Sequence, residues 1–428
     1  MGLEVDATGV SYYCPSSFYI YLRAGVLDEF GGATEAGMPT LMHEYAHLIQ
    51  DRASLYGAFE FLLFLDSVRG ALAVMPTGTV GTPAQVQLPI SGYPAWASSW
   101  LASIQALRGA LAPRPPWIDD VMWAYETHRL ANQRVWMQGE WHEVPTVIAS
   151  FVDNATNATY EHEIGPREIK EAYSVAVQIL HGGPEVDDAK QFEYLAVERI
   201  LLKELGAVTP LQIIAICHWA LQSPNPGARL FEIIVRVLKE DLLPSADSLY
   251  DLLREDACTT LQHEQRVREL LLQVSEVVAA QAGAGYKDLL FQVMTWFYST
   301  ASHSLGLSVS GRRFPLDTFL CKADPDFRRL TSDIPIPVVE VPSGDVFSFG
   351  AQTVASDAVL FVRSLAHLLH KLSHADAASW PCDLHSSCVL NYKDAGCTSQ
   401  PWLKGQHRPA CPYGAAAAYL GLPHLRVL

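Results

Sequence analysis

His43-Glu44-Tyr45-Ala46-His47 is the stretch on which the reading of this chain turns. On a helix, four residues advance the chain by slightly more than one turn, so both imidazoles leave the same face and can grip one ion. Glu44, directly behind the first histidine, then reaches a water at that ion, where its carboxylate can take a proton. The H-E-x-x-H spacing therefore points to a zinc site, provided the stretch is helical. Its surroundings favour a helix: Pro39 suits a first turn, and Leu41, Met42, Tyr45, Ala46, Leu48 and Ile49 supply helix-compatible apolar residues up to Asp51. The competing reading is two histidines satisfied by polar neighbours, with Glu44 on a solvated edge.

The run from His43 to Ile49, Gln50 and Asp51, followed by Tyr56-Gly57, resembles a group of bacterial H-E-Y-x-H-x-x-Q-D proteins of gluzincin type. The resemblance covers mainly residues 17 to 60 and 145 to 180. Gluzincins are zinc peptidases whose third protein ligand is a glutamate on a later helix, so the resemblance implies a zinc metallopeptidase. Metzincins are excluded, because Gln50 and Ala53 stand where that class needs glycine and histidine. Asp51 reads either as a carboxylate accepting a ligand histidine's spare N–H or as an ordinary polar helix residue.

The region expected to supply the third ligand begins at Gly165-Pro166, which opens a helix. Glu168 falls in its first turn, where the helix dipole alone favours a carboxylate. Glu171 lies nearly opposite the apolar stripe of Ile169, Ala172, Tyr173, Ala176 and Leu180, so periodicity does not select it. It matches the G-x-x-x-I-x-E-small pattern that resembles the third-ligand helix of the gluzincin group. Glu171 is therefore the expected ligand, with Glu168 as the alternative and Glu161, His162 and Glu163 as outsiders. Tyr173, Tyr194 and His181 are candidates for stabilising a developing oxyanion.

A chain of 428 residues with 49% hydrophobic residues can bury a large core without disulfides, and its length suggests two or three domains. The net charge of −16 argues against a broad nucleic-acid interface, which needs lysine and arginine to displace phosphate counterions, and against an anionic membrane surface. Met1-Gly2-Leu3-Glu4-Val5-Asp6 is acidic where a secretory signal is basic. The most apolar run, Ala58 to Leu65, is interrupted by Glu60 and too short to span a bilayer. The expectation is a cytoplasmic protein with no membrane partner.

Phe18-Tyr19-Ile20-Tyr21-Leu22 reads as a strand, and helical patterns near 97–112 and 118–133 follow the zinc-binding helix, giving a catalytic domain over residues 1–182. Residues 144–152 and 158–161 read as two strands around a turn, serving either as an edge that holds extended substrate or as a plain hairpin. Helical segments near 187–206, 209–223, 227–240, 243–256, 260–282 and 285–304 suggest a helical domain over 183–330. Residues 331–428 comprise a hairpin or extended connection at 333–350, a helix near 355–374 and a Cys-rich end. The expected fold class is α+β, predominantly α-helical: a small sheet with the zinc-binding helix, a large helical domain, and an irregular Cys-rich C-terminal segment.

Cys382, Cys388, Cys397 and Cys411 crowd into that end beside His385 and His407, whereas Cys14, Cys217, Cys258 and Cys321 stand in ordinary structural contexts. A segment rich in Pro, Gly, Ser and Asp has little else to fix its shape, and a second, structural zinc ion would do so. An iron–sulfur cluster, two disulfides and unligated thiols are the alternatives. The five, eight and thirteen intervening residues lack paired C-x-x-C knuckles, and a cytoplasmic location disfavours disulfides.

Two function classes follow. In a zinc-dependent peptidase, His43, His47 and Glu171 hold the ion, Glu44 is general base and then proton donor, and the substrate is a protein or peptide, with room for a regulatory protein partner. In a non-hydrolytic interaction or scaffold protein the metal sites are structural. An open coordination position distinguishes the first from the closed site of the second.

Overall fold

The computed structural model describes residues 11–14, 18–29, 31–75, 84–86, 123–137, 140–183, 192–240, 245–255, 265, 269, 284–309, 313–320, 331, 334–350, 356–373, 382, 384, 388, 396–399, 411–422 and 425–427. Among these the elements are, in chain order, β1 (Tyr12–Cys14), β2 (Tyr19–Tyr21), α1 (Met38–Ala53), α2 (Leu55–Val74), β3 (Ala84–Val86), β4 (Trp123–Met137), β5 (Glu140–Asp153) and β6 (Thr159–Ile164). They continue with α3 (Pro166–Leu180), α4 (Phe192–Leu205), α5 (Pro210–Ala220), α6 (Pro226–Glu240), α7 (Ala246–Glu255), α8 (Ala284–Val309) and α9 (Leu316–Leu320). The last are β7 (Ile336–Glu340), β8 (Val346–Phe349), α10 (Ser356–Ser373), α11 (Gly396–Ser399), α12 (Pro412–Tyr419) and β9 (Leu425–Val427). The fold is α+β and mostly helical, with small sheets of order β1-β2-β7-β8, β3-β9 and β4-β5-β6.

The zinc-motif stretch is helical. α1 starts with Pro39 in its first turn, where a missing N–H costs nothing, and ends at Ser54. Ser54 then caps α2, its hydroxyl accepting the Gly57 N–H at 3.0 Å. Gln222 seals the break from outside, donating to the Ala53 carbonyl at 2.9 Å and accepting the Leu55 N–H at 3.0 Å. Gly57 lets the two helices meet closely, because a Cβ there would stand 2.2 Å from the Asp51 carbonyl oxygen.

α1 is buried on nearly every side, packed against α2, α3, α8 and β1. Arg52 and Asp51, at its end, are enclosed too, and both find partners. Arg52 lies over the Trp296 ring at 3.8 Å and the Phe297 ring at 4.2 Å, and donates to the Trp296 carbonyl at 3.0 Å. Burial lowers its pKa to about 9. Asp51 takes the Lys170 ammonium of α3, which also bonds Glu60 of α2 at 2.6 Å. Burial works against the charge on Lys170, yet the two carboxylates hold its pKa above the ordinary lysine value. This network pins α1, α2 and α3 together and settles the role of Asp51, which pairs with lysine.

Helices and a hairpin expected beyond residue 187 are present as α4, α5, α6, α7, α8, β7–β8 and α10. The helix expected at 118–133 is instead β4, paired antiparallel with β5 from Trp123↔Asp153 to Met137↔Glu140. Leu130, Ala131 and Arg134 suit a helix, but cross-strand pairing with β5 overrides so weak a preference. The pattern at 97–112 lies outside the described residues, as does 260–282 apart from residues 265 and 269.

β2 pairs in parallel with β7 through Tyr19↔Val338, Ile20↔Val339 and Tyr21↔Glu340, joining the first and last segments in one sheet. One contiguous cluster of buried side chains extends from Cys14 to Leu422. Among the described residues no single helix is long and apolar enough to cross a membrane.

Replacing Lys170 by methionine leaves Asp51 and Glu60 buried without a counter-charge, and should cost about 3–5 kcal/mol of stability in urea denaturation. His218, on α5 and 2% exposed, is lowered by burial to about 3. It stays neutral in the folded chain while the unfolded chain protonates near ~6.5, so its contribution is complete above that pH and is lost on acidification. Between pH 6.5 and 5 the loss should reach about 2 kcal/mol and be absent from a His218→Leu variant.

Candidate metal centre

α1 and α3 run antiparallel along one seam. Lys170 meets Asp51, Glu171 meets His47 and His43, and further along Gln178 and His181 of the α3 end meet Pro39 and Thr40. Glu171 Oε2 lies 3.5 Å from His43 Nε2 and 3.3 Å from His47 Nε2. The two imidazole rings are 5.0 Å apart at 74°. Burial works against its charge, but His47 and His43 hold the Glu171 carboxyl well below the usual carboxylate range.

Gln50 decides which nitrogen of His47 faces the glutamate. Its amide nitrogen donates to the Lys170 carbonyl at 2.9 Å and to the Ser174 hydroxyl at 3.1 Å. A carbonyl only accepts, so the Gln50 oxygen must face the other way, where it lies 3.1 Å from His47 Nδ1. That places a ring proton on Nδ1, so in the neutral imidazole it is the Nε2 lone pair that faces Glu171. A lone pair and a carboxylate oxygen repel unless a proton or a metal cation lies between them, and among the described residues no hydrogen bond of ordinary geometry satisfies Glu171 Oε2.

The separations fit that cation. Ligand bonds of about 2.0–2.1 Å in a tetrahedron give donor-to-donor edges of roughly 3.3–3.5 Å. Among the described residues His43, His47 and Glu171 are the one group of three such side chains whose donor atoms lie within 4.8 Å of one another. Among the described residues no fourth protein donor joins them, and the three side chains keep 11%, 12% and 20% of their surface, so the group is not fully enclosed by those residues. The donor set can hold a metal ion.

Glu44 is 6% exposed and has no hydrogen-bond or ion-pair partner among the described residues. Burial pushes its carboxyl up to about 7, opposed by His43 and reinforced by Glu171. Two tyrosines flank the histidines. Tyr13 of β1 stacks on His47 at 6.2 Å and 9°, and Tyr194 of α4 lies 6.0 Å from His43.

The remaining candidates sit elsewhere. Glu168 is occupied by its own helix end, accepting the Gly165 N–H and pairing with His162, both at 3.0 Å. Glu161 pairs with Arg129 and Glu163 with Gln133. Tyr173 is fully buried against Phe319, away from the triad. His181 lines a cavity of about 350 Å³ with Arg23, Glu35, Pro39, Thr40 and Gln178, at the far end of the α1–α3 seam. Gln50 carries a role that its sequence position allowed but did not reveal, being three residues after His47 and so on the same face.

No protein-family model, curated protein or solved structure matches the chain. Replacing Gln50 by leucine frees the His47 ring, and should weaken binding of an added divalent metal ion about 10–100-fold in a chelator competition while the Asp51–Lys170 pair remains.

Proposed function

We propose that the chain is a zinc-dependent peptidase of gluzincin type acting on a protein or peptide. The observation that carries this reading is a three-donor group with, one residue from its first histidine, a buried carboxylate that has no hydrogen-bond partner among the described residues. His43, His47 and Glu171 would hold the ion. A bound divalent cation lowers the pKa of water and polarises a substrate carbonyl.

Glu44 accepts a proton from the water as its oxygen attacks the amide carbon. It then delivers that proton to the departing nitrogen as the C–N bond breaks, leaving a carboxylate and an amine. Its burial suits this exchange, since a carboxyl poised near neutrality both takes and returns a proton. Gln50 keeps His47 in the tautomer that presents Nε2. Tyr194, its ring 6.0 Å from that of His43, is the phenol we assign to stabilising the negative charge that develops on the substrate oxygen. The cavity along the α1–α3 seam offers room for residues flanking the scissile bond. A scaffold with a purely structural ion at this position is less well supported, because such sites close with a fourth protein ligand.

The test is a Glu44→Gln variant assayed on unstructured protein and on peptide libraries with zinc content measured in parallel. Turnover should fall about 10²–10⁴-fold with the metal retained. Unchanged hydrolysis by that variant, or none by zinc-loaded wild type on any peptide, would remove the proposal.

A further inference from the structure

The cavity at the far end of the α1–α3 seam is built by tightly held backbone. α3 ends in a left-handed turn at Gly182, where φ is +79°, and the Gly182 and Gly183 N–H groups return to the Ile179 and Gln178 carbonyls, both at 3.0 Å. Gly183 is pressed against the start of α1, since a Cβ there would stand 2.9 Å from the Pro39 Cβ and 2.5 Å from the Gln178 side chain. Arg23 and Glu35 enter the lining from the loop between β2 and α1. Thr34 closes that loop, its hydroxyl donating to the Gly25 carbonyl at 2.8 Å and its N–H to the Val26 carbonyl at 3.0 Å.

The start of α1 and the end of α3 meet here, so their opposed partial charges offset and side chains set the sign of the site. Arg23 can only donate hydrogen bonds, Glu35 as a carboxylate can only accept them, and Thr40, Gln178 and His181 can do both. Donors therefore predominate. Among the described residues neither Arg23 nor Glu35 has an ion-pair partner, although both line the same space.

Helix spacing puts the cavity in line with the metal group. Thr40 precedes His43 by three residues and Gln178 follows Glu171 by seven, so each shares the helix face that carries the metal donor. At ~1.5 Å per residue, Thr40 lies about 4.5 Å and Gln178 about 10 Å further along the seam. An extended peptide advances about 3.3 Å per residue, so a substrate with its carbonyl at the metal group reaches the cavity with a residue roughly one to three places away.

We propose, resting on the peptidase reading above, that this cavity is a subsite in which Arg23 recognises an acidic side chain of the substrate close to the bond that is cut. A guanidinium forks onto a carboxylate through two parallel N–H···O bonds. Thr40 and Gln178 can donate to the same group, while Glu35 accepts the backbone N–H that the bound residue presents. A basic side chain would instead set its charge against Arg23, with Glu35 alone to receive it.

Two measurements separate this preference from peptidase activity itself. Zinc-loaded wild type is profiled on peptide libraries. In parallel, zinc-loaded Glu44→Gln protein is titrated with a fluorescein-labelled, alanine-rich decapeptide carrying one glutamate, and with its counterpart carrying glutamine there. Cleavage should concentrate at bonds with aspartate or glutamate within three residues on one side, and the glutamate peptide should bind about tenfold more tightly than the glutamine one. Adding Arg23→Gln should erase that ratio, Glu35→Gln should raise it, and Arg229→Gln on α6 should not alter it. Hydrolysis without an acidic preference, a preference for lysine or arginine, or a ratio that survives Arg23→Gln would each overturn the assignment while leaving the peptidase standing. If no peptide is hydrolysed the peptidase reading falls, and the binding ratio alone decides whether the cavity takes a carboxylate.

Discussion

Lys170 is the pivot of this structure. Its ammonium, enclosed with Asp51 and Glu60, ties α3 to α1 and α2, and the next residue along the chain is Glu171. Buried charges are costly to gather, and breaking such a network leaves an uncompensated charge behind, so the three helices are held in one arrangement. The carbonyl of the same lysine receives Gln50, which orients His47. Donors and supports therefore alternate along the seam: His47, Gln50 and Asp51 on one helix, Lys170, Glu171 and Ser174 on the other. A shift of either helix would move metal donors and buried ion pair together.

The candidate metal group is built in the way its chemistry requires. At the histidines, three donors come from two rigid, deeply packed helices, and among the described residues no fourth protein donor joins them, as a site needs where water and substrate must enter. The packing of α1 against α3 preorganises this group.

The zinc-motif helix also depends on distant chain. Tyr45 donates to the Ile334 carbonyl at 2.9 Å, and Arg52 is held by Trp296. The sheet bordering the site combines residues 12–21 with 336–349, a parallel and highly non-local pairing. Such contacts carry a large loop-closure cost and form late. The core enclosing the metal centre is thus complete only when segments distant in sequence have come together.

What amino-acid order determined by itself was local: helical spacing of the two histidines, the carboxylate behind the first, the capped start of α3, and the stripes that become α4 to α8 and α10. These follow from backbone geometry within one or two turns, which short-range order specifies. Tertiary structure alone decided the rest. α3 is enclosed by α1, α4 and α5, so its apolar stripe did not report the direction of Glu171, and it was packing against α1 that turned this carboxylate to the histidines. Asp51 and Gln50 exchanged their expected importance because Lys170, 119 residues after Asp51, claims one and fixes the other. β4 became a strand because β5 lies beside it. In each case a weak local preference was overruled by a partner remote in the chain, whose burial, charge or pairing carries more free energy than the preference it displaced.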